Sequence, residues 1–318
     1  MATVDCSVVA LGGGHGLHAS LSALRRVARD VTAVVTVADN GGSSGRLREQ
    51  FDVLPPGDLR MALAALCGDD DWGQTWAEVL QHRFAGAGDM RGHAVGNLLI
   101  VGMWEQLGDA VAALDLVGRL LGARGRVLPM STTPIDIAAD VAGLVPGDPR
   151  ALTRVRGQVE VATTAGRIDR VLLEPAPVPA CPEAVAAVRG SDWVVLGPGS
   201  WYSSVIPHLL VPELRDAVVA RGSRLVIVLN LETQQGETHG FAPEDHLAVL
   251  RELAPDLTAH SVVADADTVA DVDALEKAVL DLGGRLVVGD VSRGDGSAAH
   301  DPARLGRVLE GILGSEGR

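Results

Sequence analysis

The sequence predicts an α/β fold, doubly wound around a mainly parallel sheet. Three observations predict it. Short apolar runs alternate with helix-patterned segments along most of the 318 residues. Those runs are continuous rather than alternating, as in strands covered on both faces. Several of them end in glycine turns that open directly into a helix.

In chain order, "CSVVALGGGHGLHASLSALRRV" (6–27) reads as strand, glycine loop and helix, with Leu17, Leu21 and Leu24 on one helical face. "VTAVVTVAD" (31–39) is a second buried strand, and it runs into the polar loop "NGGSSGRLR" (40–48). "PPGDLRMALAALC" (55–67) is a helix entered through Pro-Pro-Gly, with Asp58 placed to cap it. Helical patterns follow over 74–84, 94–107 and 109–121. From 126 to 175 the rhythm changes. "DIAADVAG", "VRGQVEVATT" and "RIDRVLLEP" read as short strands, giving a β-rich insertion at about 124–178. "SDWVVLGPGSWYSSVIPHLL" (191–210) repeats strand, glycine turn and helix, and "SRLVIVLNLETQQGET" (223–238) is a buried strand entering a polar loop. A helix at 243–253, a strand at 259–264, a helix at 269–281, a strand at 285–289 and a helix at 302–313 complete the pattern. No linker or internal repeat divides the chain, so 1–318 reads as one domain.

Composition narrows the function. With 47% hydrophobic but only 3% aromatic residues, the core must be Val, Leu, Ala and Ile. A net charge of −14 argues against nucleic acid or an anionic membrane as partner. Cys6, Cys67 and Cys181 have neither metal nor redox spacing, which points to a reducing cytoplasm. No basic leader and no apolar stretch long enough to span a bilayer are present. There is no G-x-x-x-x-G-K-[ST] loop, and no G-x-S-x-G elbow of a serine hydrolase.

In open α/β sheets a ligand sits beyond the carboxyl ends of the strands. Four stretches sit at such ends. In "GGGHG" (12–16), Gly13, Gly14 and Gly16 let backbone approach a ligand and aim helix amides at it, although the same residues suit a plain tight turn. Leu17 stands where a dinucleotide fingerprint needs its third glycine. In "ADNGGSSGRLR" (38–48), Gly41, Gly42 and Gly45 suit a backbone nest with Asn40 as a further ligand contact, Ser43 and Ser44 supply hydroxyls, and Arg46 or Arg48 can pair with phosphate, the alternative being a mobile solvated loop. Asp39 can take a ribose hydroxyl or a hard cation. "GPGSWYSS" (197–204) offers Gly197, Gly199, Ser200 and Ser203 as a second anion cradle, with Ser200 as helix cap the alternative. "NLETQQGET" (230–238) offers Asn230, Thr233, Gln235, Glu237 and Thr238 to a sugar or base edge, or folds as an Asx-type turn.

Asp58 is either a helix cap or a cation ligand. His93 and Asn97 share a helical face, where they contact ligand or satisfy each other. His15 and His18 are three apart but lack further ligands for zinc. His300–Asp301 reads as a tail-derived contact or as a cap for the last helix.

Taken together, "ALGGGHGL", "VTVADNGGSSGRLR", "PPGDLR", "GHAVGNLL", "RGRVLP", "VLGPGSWYSSVIPHLLVP" and "TQQGET" resemble, in order and spacing, the gluconeogenesis factor (YvcK-like) family. That family lies within the CofD-like group, which includes 2-phospho-L-lactate transferase. The resemblance spans about residues 6–250 and weakens after 255. It implies a Rossmann-like, three-layer α/β sandwich in the cytoplasm. It also implies a regulatory protein that binds a nucleotide sugar of the UDP-N-acetylglucosamine kind, with a part in cell shape, envelope growth and carbon-source adaptation. Cell-envelope or regulatory proteins and a homo-oligomer are the partners this leaves open. The alternative it implies is a CofD-type transferase joining a phospholactyl group to a deazaflavin, using a nucleoside-diphosphate-activated donor and Mg²⁺. By that analogy Asp39 and Asp58 are the metal ligands. The chain departs from the family in carrying Asn40 where Asp is usual and His15 where Thr is usual.

Overall fold

The computed structural model describes residues 3–234 and 236–315. Ten strands form two sheets. In chain order they are β1 (Val4–Gly12), β2 (Ala28–Val35), β3 (Arg126–Pro129), β4 (Asp136–Ala142), β5 (Leu152–Arg156), β6 (Arg167–Glu174), β7 (Trp193–Leu196), β8 (Leu225–Val228), β9 (Ser261–Asp265) and β10 (Arg285–Gly289). The large sheet runs β10-β9-β8-β7-β1-β2-β3, with every neighbouring pair parallel. The small one, β5-β4-β6, is antiparallel.

The chain starts at the centre of the large sheet, winds out through β2 to β3, and returns to lay β7 on the other side of β1. Right-handed crossovers in opposite directions put helices on opposite faces. Helix Gly14–Leu24 packs against Pro56–Leu66 and Pro302–Leu313, while Pro182–Gly190 pairs with Pro212–Val219 and Pro243–Leu253 with Val272–Leu280. Covered twice, β7 and β8 are buried at every residue, which is why "WVVL" and "LVIV" show no alternation. The reversal of strand order falls between β1 and β7.

Register brings the strand ends level. Gly12 lies opposite Val35, Leu11 opposite Leu196, and Leu196 opposite Ile227. The loops after β1, β2, β7 and β8 therefore leave the sheet along one edge, where α/β folds bind ligands.

Three local readings differ from the sequence expectation. β3 joins the large sheet beside β2, so the antiparallel insertion begins only at β4. "VRGQVEVATT" is not a strand: after β5, Gly157 turns at φ 101° and Gln158–Ala162 is helical. Its Val159 amide donates to Asn40 Oδ1 at 3.0 Å, an N-terminal cap lent by a distant segment. The glycine-serine stretch is not a loop either. Gly42–Phe51 is a helix with Gly41 as its N-cap and Leu47 buried beneath it, so tertiary burial overrides poor intrinsic propensity.

Candidate functional site

The loops after β1 and β7 touch backbone to backbone. A Cβ on Gly16 would lie 2.2 Å from the Pro198 carbonyl oxygen, so only glycine permits this approach. A Cβ on Gly13 would meet Thr36 Cγ2 at 2.5 Å and Asp58 Oδ2 at 2.6 Å. From the next strand, the Asn230 side chain accepts from the Gly199 amide (2.9 Å) and donates to the Gly199 carbonyl (2.8 Å). Gln234 Nε2 donates to Ser200 Oγ at 3.1 Å, and the Gln234 amide donates to Thr238 Oγ1 at 2.9 Å. Three loops are thus locked to one another without large side chains between them.

They enclose a cleft of 450 Å³, within the usual range for small-molecule sites. Gly13–Gly16, Gly199–Ser200 and Asn230–Gln234 form its walls, with Asp58 in its floor and His300 at its rim. The first turn of helix Gly14–Leu24 opens here with a glycine N-cap that offers no side chain, and the amides after Gly14 are left for a ligand.

Asp58 was a candidate cap for helix Pro56–Leu66, but no side chain caps that helix. Asp58 turns instead toward the first loop and accepts from the Gly14 amide. Its carboxyl is pushed up from 3.8 to about 7, first by desolvation and then by the charge of Asp39. Asp39 Oδ1 in turn accepts from the Gly41 amide at 2.8 Å. Two neighbouring acidic side chains are a donor set suited to a hard cation. Among the described residues there is no cluster of three or more His, Cys, Asp or Glu that could hold a metal ion.

A buried polar network backs the acids. Asn97 Nδ2 donates to Ser43 Oγ (3.0 Å), His93 Nδ1 lies 3.1 Å from the same hydroxyl, and Arg60 Nε donates to Asn97 Oδ1 (2.9 Å). Burial lowers the His93 pKa, and the Arg60 guanidinium is pulled down to about 10, mainly by desolvation. His93 and Asn97 therefore satisfy each other through Ser43. Ser44 is buried with its Oγ against Gly57.

Other sequence candidates are brought near the cleft but face elsewhere. Residues 40–48 do not line it. Asn40 donates to Glu160 Oε2 (2.9 Å) as well as capping Val159. Arg46 is held by the carbonyls of Asp89 (2.9 Å) and Arg91 (2.8 Å), and Arg48 pairs with Asp136 at 2.8 Å. Glu237 takes the Ser203 hydroxyl (2.6 Å) and the Tyr202 amide (2.8 Å). With Thr238 it builds the loop rather than the cleft wall. Gly41 and Gly42 start a helix, and Gly197 shapes the turn after β7 at φ 79°. Gln235 lies outside the described residues.

His300, one of the two residues read as a tail-derived contact or a cap, lines the cleft, as does Gln158, which the sequence did not single out. No local pattern marks either one, since each arrives on a segment folded back from elsewhere. Asp301, beside His300, caps the last helix by accepting from Ala303 (2.9 Å) and Arg304 (2.8 Å) amides.

The family model described as CofD, 2-phospho-L-lactate transferase, matches residues 8–282. The chain belongs to the CofD family. Within it the chain groups with the gluconeogenesis factors. It is 53% identical over 308 residues to a Mycobacterium tuberculosis protein provisionally named gluconeogenesis factor, covering 96% of this chain and 90% of that one. It is 36% identical to the gluconeogenesis factor of Listeria monocytogenes, covering 96% and 95%. A crystal structure of a UPF0052 family member from Bacillus halodurans superposes with a TM-score of 0.84 at 31% identity, covering 96% and 99%. Likeness continues well past residue 255, beyond what the motifs alone carried. No helix among the described residues is long and apolar enough to cross a membrane.

Proposed function

We propose that this protein is a gluconeogenesis factor that binds a nucleoside diphosphate ester, of the UDP-N-acetylglucosamine class, and acts as a regulatory protein of envelope growth. One observation carries the reading: the glycine loops after β1 and β7 and the polar loop after β8 meet around a single 450 Å³ cleft at the reversal of strand order. The first-turn amides of His15 and Gly16, with the Ser200 backbone and hydroxyl beside them, suit a diphosphate. Thr233 and the 230–234 backbone suit hydroxyls of a sugar or ribose.

Asp39 and Asp58 would hold a Mg²⁺ ion, which binds through one or two carboxylates and completes its shell with phosphate and water. When bound, it would offset the diphosphate charge and draw the Asp58 proton off.

Calorimetric titration with UDP-N-acetylglucosamine, GDP and a deazaflavin, each with and without Mg²⁺, tests this. Saturable, Mg²⁺-strengthened binding of the UDP-sugar without turnover is the expected result. Deazaflavin binding with product formation would replace it by the transferase reading, and silence from every nucleotide would remove it.

A further inference from the structure

A second cavity, 510 Å³, lies beside the cleft and shares His15, Gly16, Ala298 and His300 with it. Arg60, Arg83, Arg293 and His18 line it, and no carboxylate does. In a chain with net charge −14, this is a local reversal of sign. Burial lowers the His18 pKa, and repulsion from its neighbours, Arg25, Arg293 and Arg60 among them, lowers it further.

The pocket is built rather than incidental. Arg60 is 4% exposed; its Nε is spent on Asn97, but its Nη1 is buried without a partner. His300 is 5% exposed, and its Nε2 also lacks a partner. Its ring bonds the Leu229 backbone and is held neutral by burial, with a pKa pushed down to about 4. A ring that donates to a carbonyl through one nitrogen presents the other as an acceptor. The segment carrying Arg293 and His300 is itself anchored: Asp265 Oδ2 accepts from the amides of Val291 (2.8 Å) and Ser292 (2.9 Å), and the Arg293 amide donates to the Ala299 carbonyl (3.0 Å).

Guanidinium donors with a neutral imidazole acceptor beside them fit an oxyanion that also carries a proton. We propose that this pocket is a phosphate subsite, in which Arg60 and Arg293 bind the charged oxygens and His300 Nε2 accepts the P–OH proton. Sulfate, unprotonated at neutral pH, lacks that donor. The subsite adjoins the diphosphate cleft through His300, but Arg60 and Arg293 lie outside that cleft, and the proposal stands whether or not a nucleotide binds there. Its phosphate is either a free ion or the monoester end of a small metabolite.

The test is titration of the whole protein at neutral pH with inorganic phosphate, glycerol 3-phosphate and sulfate, read by calorimetry and by the histidine ring signals in NMR. Expected are saturable phosphate binding with shifts at His18 and His300, clearly weaker sulfate binding, and roughly tenfold loss in Arg293→Ala. Arg293 is exposed, so this variant keeps the core intact if the buried Arg60→Met fails to fold. Glycerol 3-phosphate binding as well as phosphate identifies a monoester, and phosphate alone identifies the free ion. The inference is overturned by non-saturating shifts, by unchanged affinity in Arg293→Ala, by sulfate binding as tightly as phosphate, or by displacement of phosphate with UDP, which would place the ion in the cleft.

Discussion

Replacing Gly16 by alanine adds a single methyl group where two loops meet. That carbon would sit 2.2 Å from the Pro198 oxygen, 2.5 Å from its carbonyl carbon and 2.7 Å from Gly199 Cα. All three are backbone atoms, so no side chain can swing aside. Restoring ordinary contact requires the β1 and β7 loops to part by roughly 1 Å, which a close-packed interior resists. Overpacking of this kind costs about 1–3 kcal/mol. The displacement also widens the cleft, so ligand affinity should fall along with stability. Gly102→Ala is the matched control. Gly102 lies inside helix Val95–Leu107, with nothing within 4 Å of its added carbon. There alanine should stabilise by about 0.5–1 kcal/mol through helix propensity. Urea denaturation of the two variants against the parent measures both changes. A Gly16→Ala protein as stable as the parent, with ligand binding intact, would refute the direct contact between the loops and with it the geometry of the cleft.

Asp58→Asn should flatten the pH dependence of stability. The folded state holds the Asp58 proton up to about pH 7 whereas the unfolded chain releases it near 3.8, so this group makes stability fall as pH rises between those values, by up to about 4 kcal/mol when fully ionised. Denaturation midpoints of parent and variant at pH 4.5 and 8 check the sign, and the variant should also lose any Mg²⁺ effect on binding. Asn40→Asp removes the donor to Glu160 Oε2 and sets two carboxylates together; a loss of about 1–2 kcal/mol, faster hydrogen exchange across 157–163 and rescue by Glu160→Gln are expected. Asn230→Ala leaves the Gly199 amide and carbonyl without their partner, and should cost about 1–3 kcal/mol with weakened ligand binding in calorimetry.

The winding of the sheet was legible because β7, β8 and the Val8–Leu11 part of β1 are uninterrupted apolar runs ending in glycine or polar turns. Those same turns located the cleft. Period-two valines misled at Val159 and Val161, where Gly157 breaks the strand and Asn40 caps a helix from 119 residues away in sequence. Residues 42–51 hid their helix because glycine and serine carry little propensity, and the burial of Leu47 is a tertiary fact. Arg46 and Arg48 look like phosphate ligands by type, yet their fork-shaped donors are taken by carbonyls and a carboxylate behind the helix. His300 could not be placed, since its position depends on where the last loop returns. Asn40 has a local role: its amide group both accepts from Val159 and donates to Glu160, which a carboxylate cannot do.

The central place of β1 also governs how the molecule is made. Leu11 gains its neighbour Val34 almost at once, but its other neighbour, Leu196, is synthesised far later. Until then the ribosome-borne chain presents the apolar Val8–Leu11 stretch of β1 as an open edge, the kind of surface on which strands from other chains pair. That edge stays unpaired through more than half of the chain's translation.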